Sequence, residues 1–177
     1  MKYKYYSKLI IPKYFNNPTG IHGVKHCKRV LYLAMKNSKL NYLDDKDVEI
    51  LAYASIYHDI GRTNDYKDNT HGFKSYEKLL NLGDFKGIEQ RLNLEDLNIL
   101  RFIIEKHNIN DTEAKQSIKD YDIKFIDRCF NLYDIFKDCD GLDRVRINDL
   151  NMSYLRKETS KELERTAWNL LLERIDY

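Results

Sequence analysis

The chain has 177 residues, 42% hydrophobic and 33% charged, with 30 basic residues against 28 acidic and a net charge of +2. This is globular composition, sized for one continuous core rather than two, and its near-neutral balance argues against a scaffold held to nucleic acid by a general electrostatic field. Three cysteines, Cys27, Cys129 and Cys139, form no CxxC pair and leave an odd count, which indicates neither a disulfide framework nor a zinc ribbon and fits a reducing cytoplasm.

The segment from Met1 to Phe15 is basic and aromatic, and Lys, Ser and Pro interrupt its apolar residues, so it lacks a signal-peptide core; its Tyr and Ile side chains are expected to pack on the domain. Asn16 to Gly20 is a turn cluster. The next segment carries His26, Val30 and Leu33 on one face of a helix, with His26 pointing inward. Asp44 and Asp45 can cap the following helix, whose two apolar sides make it central and buried, and Gly61 ends it with His58 and Asp59 in its last turn. The longest apolar run, Ile50 to Tyr57, is far short of the roughly 20 residues that span a bilayer, so no membrane contact is expected.

A shorter helix is predicted from Thr70, its candidate N-cap, with His71, Ser75 and Leu79 along one face. Asn93 can cap a fourth helix bearing the stripe Leu97, Leu100, Ile104 and His107. A fifth pattern, 123–140, places Cys129, Tyr133, Phe136 and Asp140 on one apolar face. A last amphipathic helix is expected over 158–175. No stretch alternates with period two, so the fold class is all-α, and with neither repeat nor linker residues 1–177 read as one domain.

Four of the five histidines, His26, His58, His71 and His107, sit where helical phase points inward or where a buried helix ends. With Asp59 and Asp140 on apolar faces they form a set that metal explains economically, because a buried carboxylate costs several kcal/mol unless paired or metal-bound. Imidazole and carboxylate donors without thiolate suit Mn, Fe, Co, Ni or Zn. Adjacent residues on a helix point about 100 degrees apart, so His58 and Asp59 reach one ion only from a helix end, where Gly61 lets the chain turn.

Three motifs in order carry a family resemblance. His26-Cys27-Lys28-Arg29-Val30 resembles the HxxRV of the first HD-superfamily helix, Ala54 to Gly61 its central HDIG motif, and Cys139-Asp140-Gly141-Leu142 its closing ADxL; the set spans 21–143. The resemblance implies a helical bundle in which His26, His58, Asp59 and Asp140 hold one divalent ion, and hydrolysis of phosphate esters or anhydrides by metal-activated water. His71-Gly72 and His107 resemble the extra histidines of dinuclear members, in which Asp59 serves as the catalytic carboxylate shared by two ions. The family analogy makes nucleotides the expected substrates. Asn108 stands where the cyclic-di-GMP branch has a second His and no GYP follows, and the diadenosine branch usually has Thr there, which puts that substrate in doubt as well.

Phosphate also needs side-chain cations. Arg62, directly after the HDIG turn, and Arg144 are the candidates for substrate binding, while Lys106 and Arg146 lie near other motif ends. Arg29 can pair with a carboxylate such as Asp127. Asp138 and Asp143 are alternatives to Asp140, which matches both the motif and the inward phase. His22, one turn before His26, is read as lying behind the ligands or exposed, with proton donation as a lesser alternative. Two rival functions stay open: a one-metal nucleoside monophosphate phosphatase, and a nonenzymatic nucleotide- or RNA-binding regulator.

Overall fold

Apolar periodicity of about 3.6 residues runs through the chain, and helices follow it. The computed structural model describes residues 2–174, and among these it contains no strand. The elements are α1 (Lys2–Tyr6), α2 (Val24–Leu40), α3 (Asp45–Tyr57), α4 (His71–Leu80), α5 (Asp84–Glu89), α6 (Leu94–Lys106), α7 (Asp111–Gln116), α8 (Ile126–Leu142), α9 (Glu158–Lys161) and α10 (Glu164–Leu171). The all-α expectation is borne out. No helix among the described residues is long and apolar enough to cross a membrane.

The organising element is α3. Asp44 accepts from the backbone N–H groups of Lys46 and Asp47 and so starts the helix. Every residue from Asp47 to Tyr57 is buried, because α2, α6 and α8 surround the helix. At the start of α6, Asn93 and Asp96 form a reciprocal capping box, as the sequence suggested for Asn93. Tyr6, Ile10 and Phe15 of the amino-terminal segment and Ala167 and Leu170 of α10 are buried in the same core. The three cysteines are free and buried.

Two local expectations need correction. The helix expected over 158–175 is two short pieces, since Asn37 of α2 bonds Ser160 and Asn41 bonds Thr159, pinning α9 on α2, while α10 packs against both α2 and the turn Asp143–Ile147. Its last residue, Ile175, lies outside the described residues. Thr70 precedes α4 without capping it: Asp68 instead accepts from the Thr70 amide at 2.7 Å and its hydroxyl at 2.6 Å.

Two glycines set how closely helices meet near the end of α3. A Cβ on Gly61 would lie 2.2 Å from the Ser75 nitrogen and 2.8 Å from the His71 oxygen, so only glycine lets α4 start against the turn that follows His58. No glycine has a positive φ, so Gly61 is there for this approach and not for a left-handed turn. A Cβ on Gly72 would meet the carbonyl oxygens of Ile104 and Glu105 at 2.6 and 2.7 Å, which brings α4 onto the last turn of α6. The four helix ends carrying His26, His58, His71 and His107 therefore converge.

Candidate metal centre

Each of the four imidazoles is anchored through Nδ1. His26 Nδ1 donates to Asp143 Oδ2 at 2.7 Å, His58 Nδ1 to the Ser55 carbonyl at 3.2 Å, His71 Nδ1 to the Asp68 carbonyl at 2.6 Å, and His107 Nδ1 to the Ile104 carbonyl at 2.8 Å. A carbonyl only accepts, so the last three rings carry their proton on Nδ1, and the ionised Asp143 fixes the first in the same way. Burial pushes the Asp143 carboxyl up, but its bonds to His26 and Arg29 outweigh this and hold it below the usual carboxylate range.

With Nδ1 protonated, each neutral ring presents a bare lone pair at Nε2, and these lone pairs face one another. His26 and His58 approach at 3.1 Å between Nε2 atoms, and His71 and His107 at 2.9 Å. Neither ring of a pair has a donor to offer the other. Such a pair needs a positive centre, a proton or a metal ion, at its lone pairs. All four histidines are at most 5% exposed, so water does not fill the need freely.

The carboxylates complete the cluster. Asp59 directs Oδ2 to His26 Nε2 at 3.5 Å and His58 Nε2 at 3.6 Å, and Oδ1 to His71 Nε2 at 3.1 Å and His107 Nε2 at 3.6 Å. Asp140 Oδ1 lies 3.3 Å from His26 Nε2 and 4.0 Å from His58 Nε2. Its side chain is 31% exposed and forms the open edge of an otherwise buried group. Burial pushes the Asp59 carboxyl up, yet any proton held among the facing Nε2 atoms, the positive centre that these lone pairs require, pulls it well below its ordinary value; Asp140 is pulled low in the same manner through His26, His58 and His107. Burial depresses His58 to about 3 and so keeps it a neutral donor. Burial and Arg146 oppose a proton on His26, but its bonds to Asp140 and Asp143 prevail and raise its pKa. Among the described residues three overlapping groups, His22 with His26 and Asp59, His26 with His58 and Asp140, and His58 with Asp59 and His107, each bring their ligand atoms within 4.8 Å. This donor set fits one or two divalent ions.

The structure brings together all six residues expected as metal ligands. It assigns the alternatives other work: Asp138 accepts from the Arg156 and Lys157 backbone, and Asp143 buttresses His26. Arg29 pairs with that same Asp143, through Nε at 2.6 Å and Nη2 at 3.0 Å, rather than with Asp127. His22 stands behind the ligands, the first of the two places expected for it, with its Nδ1 2.9 Å from Asp59 Oδ2.

A cavity of about 640 Å³ opens onto the cluster, with Asp59, His71, His107 and Asp140 among its lining residues. Arg62 and Arg144 also line it, but neither is free: Arg62 Nε donates to Asp59 Oδ1 at 2.9 Å, and Arg144 is paired with Asp149. Lys106 instead lies 4.5 Å from the Phe73 ring centre. Lys137, which sequence reasoning missed, lines the cavity one helical turn before Asp140 and donates to the Ile109 carbonyl at 2.7 Å and to Asp111 at 2.9 Å. Burial lowers its pKa against the opposing pull of Asp111. Its i, i+3 spacing from Asp140 was the available signal.

Comparison with known proteins agrees with this geometry. The family described as HD domain matches residues 23–132, more than half of the chain, which covers His26, His58, Asp59, His71 and His107 and stops before Asp140. Among curated proteins and solved structures, none matches the chain.

Proposed function

This chain belongs to the HD-domain family, generally one of metal-dependent phosphohydrolases, and on that premise we propose that it hydrolyses a nucleotide phosphodiester or phosphoanhydride with two divalent ions. The observation that carries the reading is the double pairing of imidazole lone pairs on either side of one carboxylate. His26, His58, Asp140 and Asp59 Oδ2 would hold one ion, and His71, His107 and Asp59 Oδ1 the other. Ions bound there supply positive charge that activates water and offsets the charge on phosphoryl oxygens.

The protein's own part is placement. Asp143 and the three backbone carbonyls lock the imidazoles so that Nε2 always faces inward, and Arg29 holds Asp143 in turn. The substrate approaches over the exposed edge of Asp140. Lys137 uses two of its three N–H donors on Ile109 and Asp111, leaving one for a phosphoryl oxygen, and Arg144 also lines the cavity. A cavity of about 640 Å³ has room for a nucleotide and exceeds what a small phosphomonoester requires.

A one-metal nucleoside monophosphate phosphatase is the second reading, favoured by the guanidinium of Arg62 on Asp59 Oδ1. The test is metal analysis combined with a panel of nucleoside monophosphates, dinucleoside polyphosphates and phosphodiesters. Two ions per chain with metal-dependent cleavage of diesters or anhydrides is the expected result. One ion with monoester turnover alone supports the second reading, and metal-replete protein inactive on the whole panel supports a nonenzymatic regulator.

A further inference from the structure

The two halves of the cluster are unequal. The half formed by His26 and His58 has Asp140 to itself and shares Asp59 through Oδ2. The half formed by His71 and His107 has only Asp59 Oδ1, and Arg62 already donates to that oxygen from Nε at 2.9 Å. Two neutral imidazoles contribute no charge, so a dication at this position meets one shared carboxylate oxygen and a permanent guanidinium beside it.

Arg62 is also held in place. Its side chain is only 14% exposed, its Nη1 donates to the Tyr66 carbonyl at 3.1 Å, and its backbone N–H donates to the Asp59 carbonyl at 3.2 Å. Residues 62–70, which join the end of α3 to α4, carry Asp68 as well, whose carbonyl accepts from His71 Nδ1 at 2.6 Å and from Asn108 Nδ2 at 3.1 Å. One loop thus fixes both the competing cation and a histidine of the same half-site.

Resting on the two-ion reading above, we propose that Arg62 sets the affinity of the second cation position, so that the centre loads in sequence: one divalent ion tightly at His26, His58 and Asp140, then a second weakly at His71 and His107. Arg62 acts through Asp59 and is a positioning residue. An anion entering the cavity offsets the guanidinium charge and tightens the second ion, and by reciprocity the second ion tightens the anion by the same factor. The second position therefore fills with the phosphoryl group present and empties after product leaves.

Calorimetric titration of Mn²⁺ into the metal-free 177-residue protein tests this. The wild type should show a tight phase and a weak one. Arg62→Met, which keeps the stem and removes the charge, should tighten the weak phase by about tenfold or more and change the tight phase by less than about threefold. Arg62→Gln serves as a second uncharged variant should the methionine form fail to fold, and Arg62→Lys should behave nearly as the wild type. Inorganic phosphate should tighten the weak phase in the wild type and much less so in Arg62→Met. An unchanged or weakened second phase in both uncharged variants would overturn the role of Arg62 while leaving the two-ion centre intact. A single phase in the wild type, unaltered by His71→Ala, would overturn the two-ion reading and this inference with it.

Discussion

The two ends of α3 both bury charge and do so in opposite ways. At its amino-terminal end Arg128 reaches Asp47 at 2.7 Å and Asp96 at 2.8 Å, and Glu49 is met by Arg91 and Lys46, so each carboxylate has a cation supplied by the chain itself. At its carboxyl-terminal end His58 and Asp59 meet imidazoles whose lone pairs face one another, together with a second carboxylate, and among the described residues the guanidinium of Arg62 and the ring of His22 reach Asp59 itself. A polar cluster complete in its own donors and acceptors holds helices together. One that converges acceptors on a shared space is built for something the chain does not contain.

Breaking the incomplete cluster should have the largest effect. His58→Ala or Asp59→Ala is expected to remove bound metal and to reduce hydrolysis by roughly a thousandfold or more, with helix content by circular dichroism nearly unchanged, because the lost charge stabilisation amounts to several kcal/mol. Breaking the complete cluster should do the reverse. Arg128→Met leaves Asp47 and Asp96 without their cation and should cost about 3 kcal/mol in denaturant unfolding while metal stoichiometry stays the same.

The contrast sharpens within one turn of α8. Asp140→Asn should weaken metal binding roughly 10- to 100-fold, whereas Asp138→Asn, whose carboxylate accepts from Arg156 and Lys157, should lower stability and leave metal affinity alone. Equal effects on metal would erase the distinction. The smallest effects concern glycines. Gly72→Ala meets two carbonyl oxygens of α6 and should cost about 2 kcal/mol, separating His71 from His107. Gly87→Ala in α5 meets nothing within 4 Å and should stabilise by about 0.5 kcal/mol. Thermal unfolding of the two variants side by side measures the difference.

Much of this arrangement is legible in the amino-acid sequence. His26, His107 and Asp140 lie on apolar faces whose period the sequence displays, and the Asn93 cap is a local pattern three residues long. The order of the three motifs then names the family. What stays hidden is long-range pairing: Arg29 and Asp143 are 114 residues apart, and no local pattern tells Arg29 to prefer Asp143 to Asp127. The same holds for Arg62, whose position suggests a phosphate ligand until its bond to Asp59 is seen. Gly61 has a legible identity and an illegible reason, since the clash it avoids is with α4. The interruption between α9 and α10 depends on Asn37 and Asn41 of a distant helix, so the amphipathic period there reads through it.

If the two ends of α3 differ in this way, the carboxyl-terminal end is a metal centre and the amino-terminal end is not. Anomalous scattering from crystals grown with saturating Mn²⁺ tests this most directly. A strong peak is expected among His26, His58, Asp59 and Asp140, a weaker one beside His71 and His107, and none near Asp47, Asp96 and Arg128. A fully supplemented crystal with no peak at the histidines, and water or protons alone separating the paired Nε2 atoms, would contradict it.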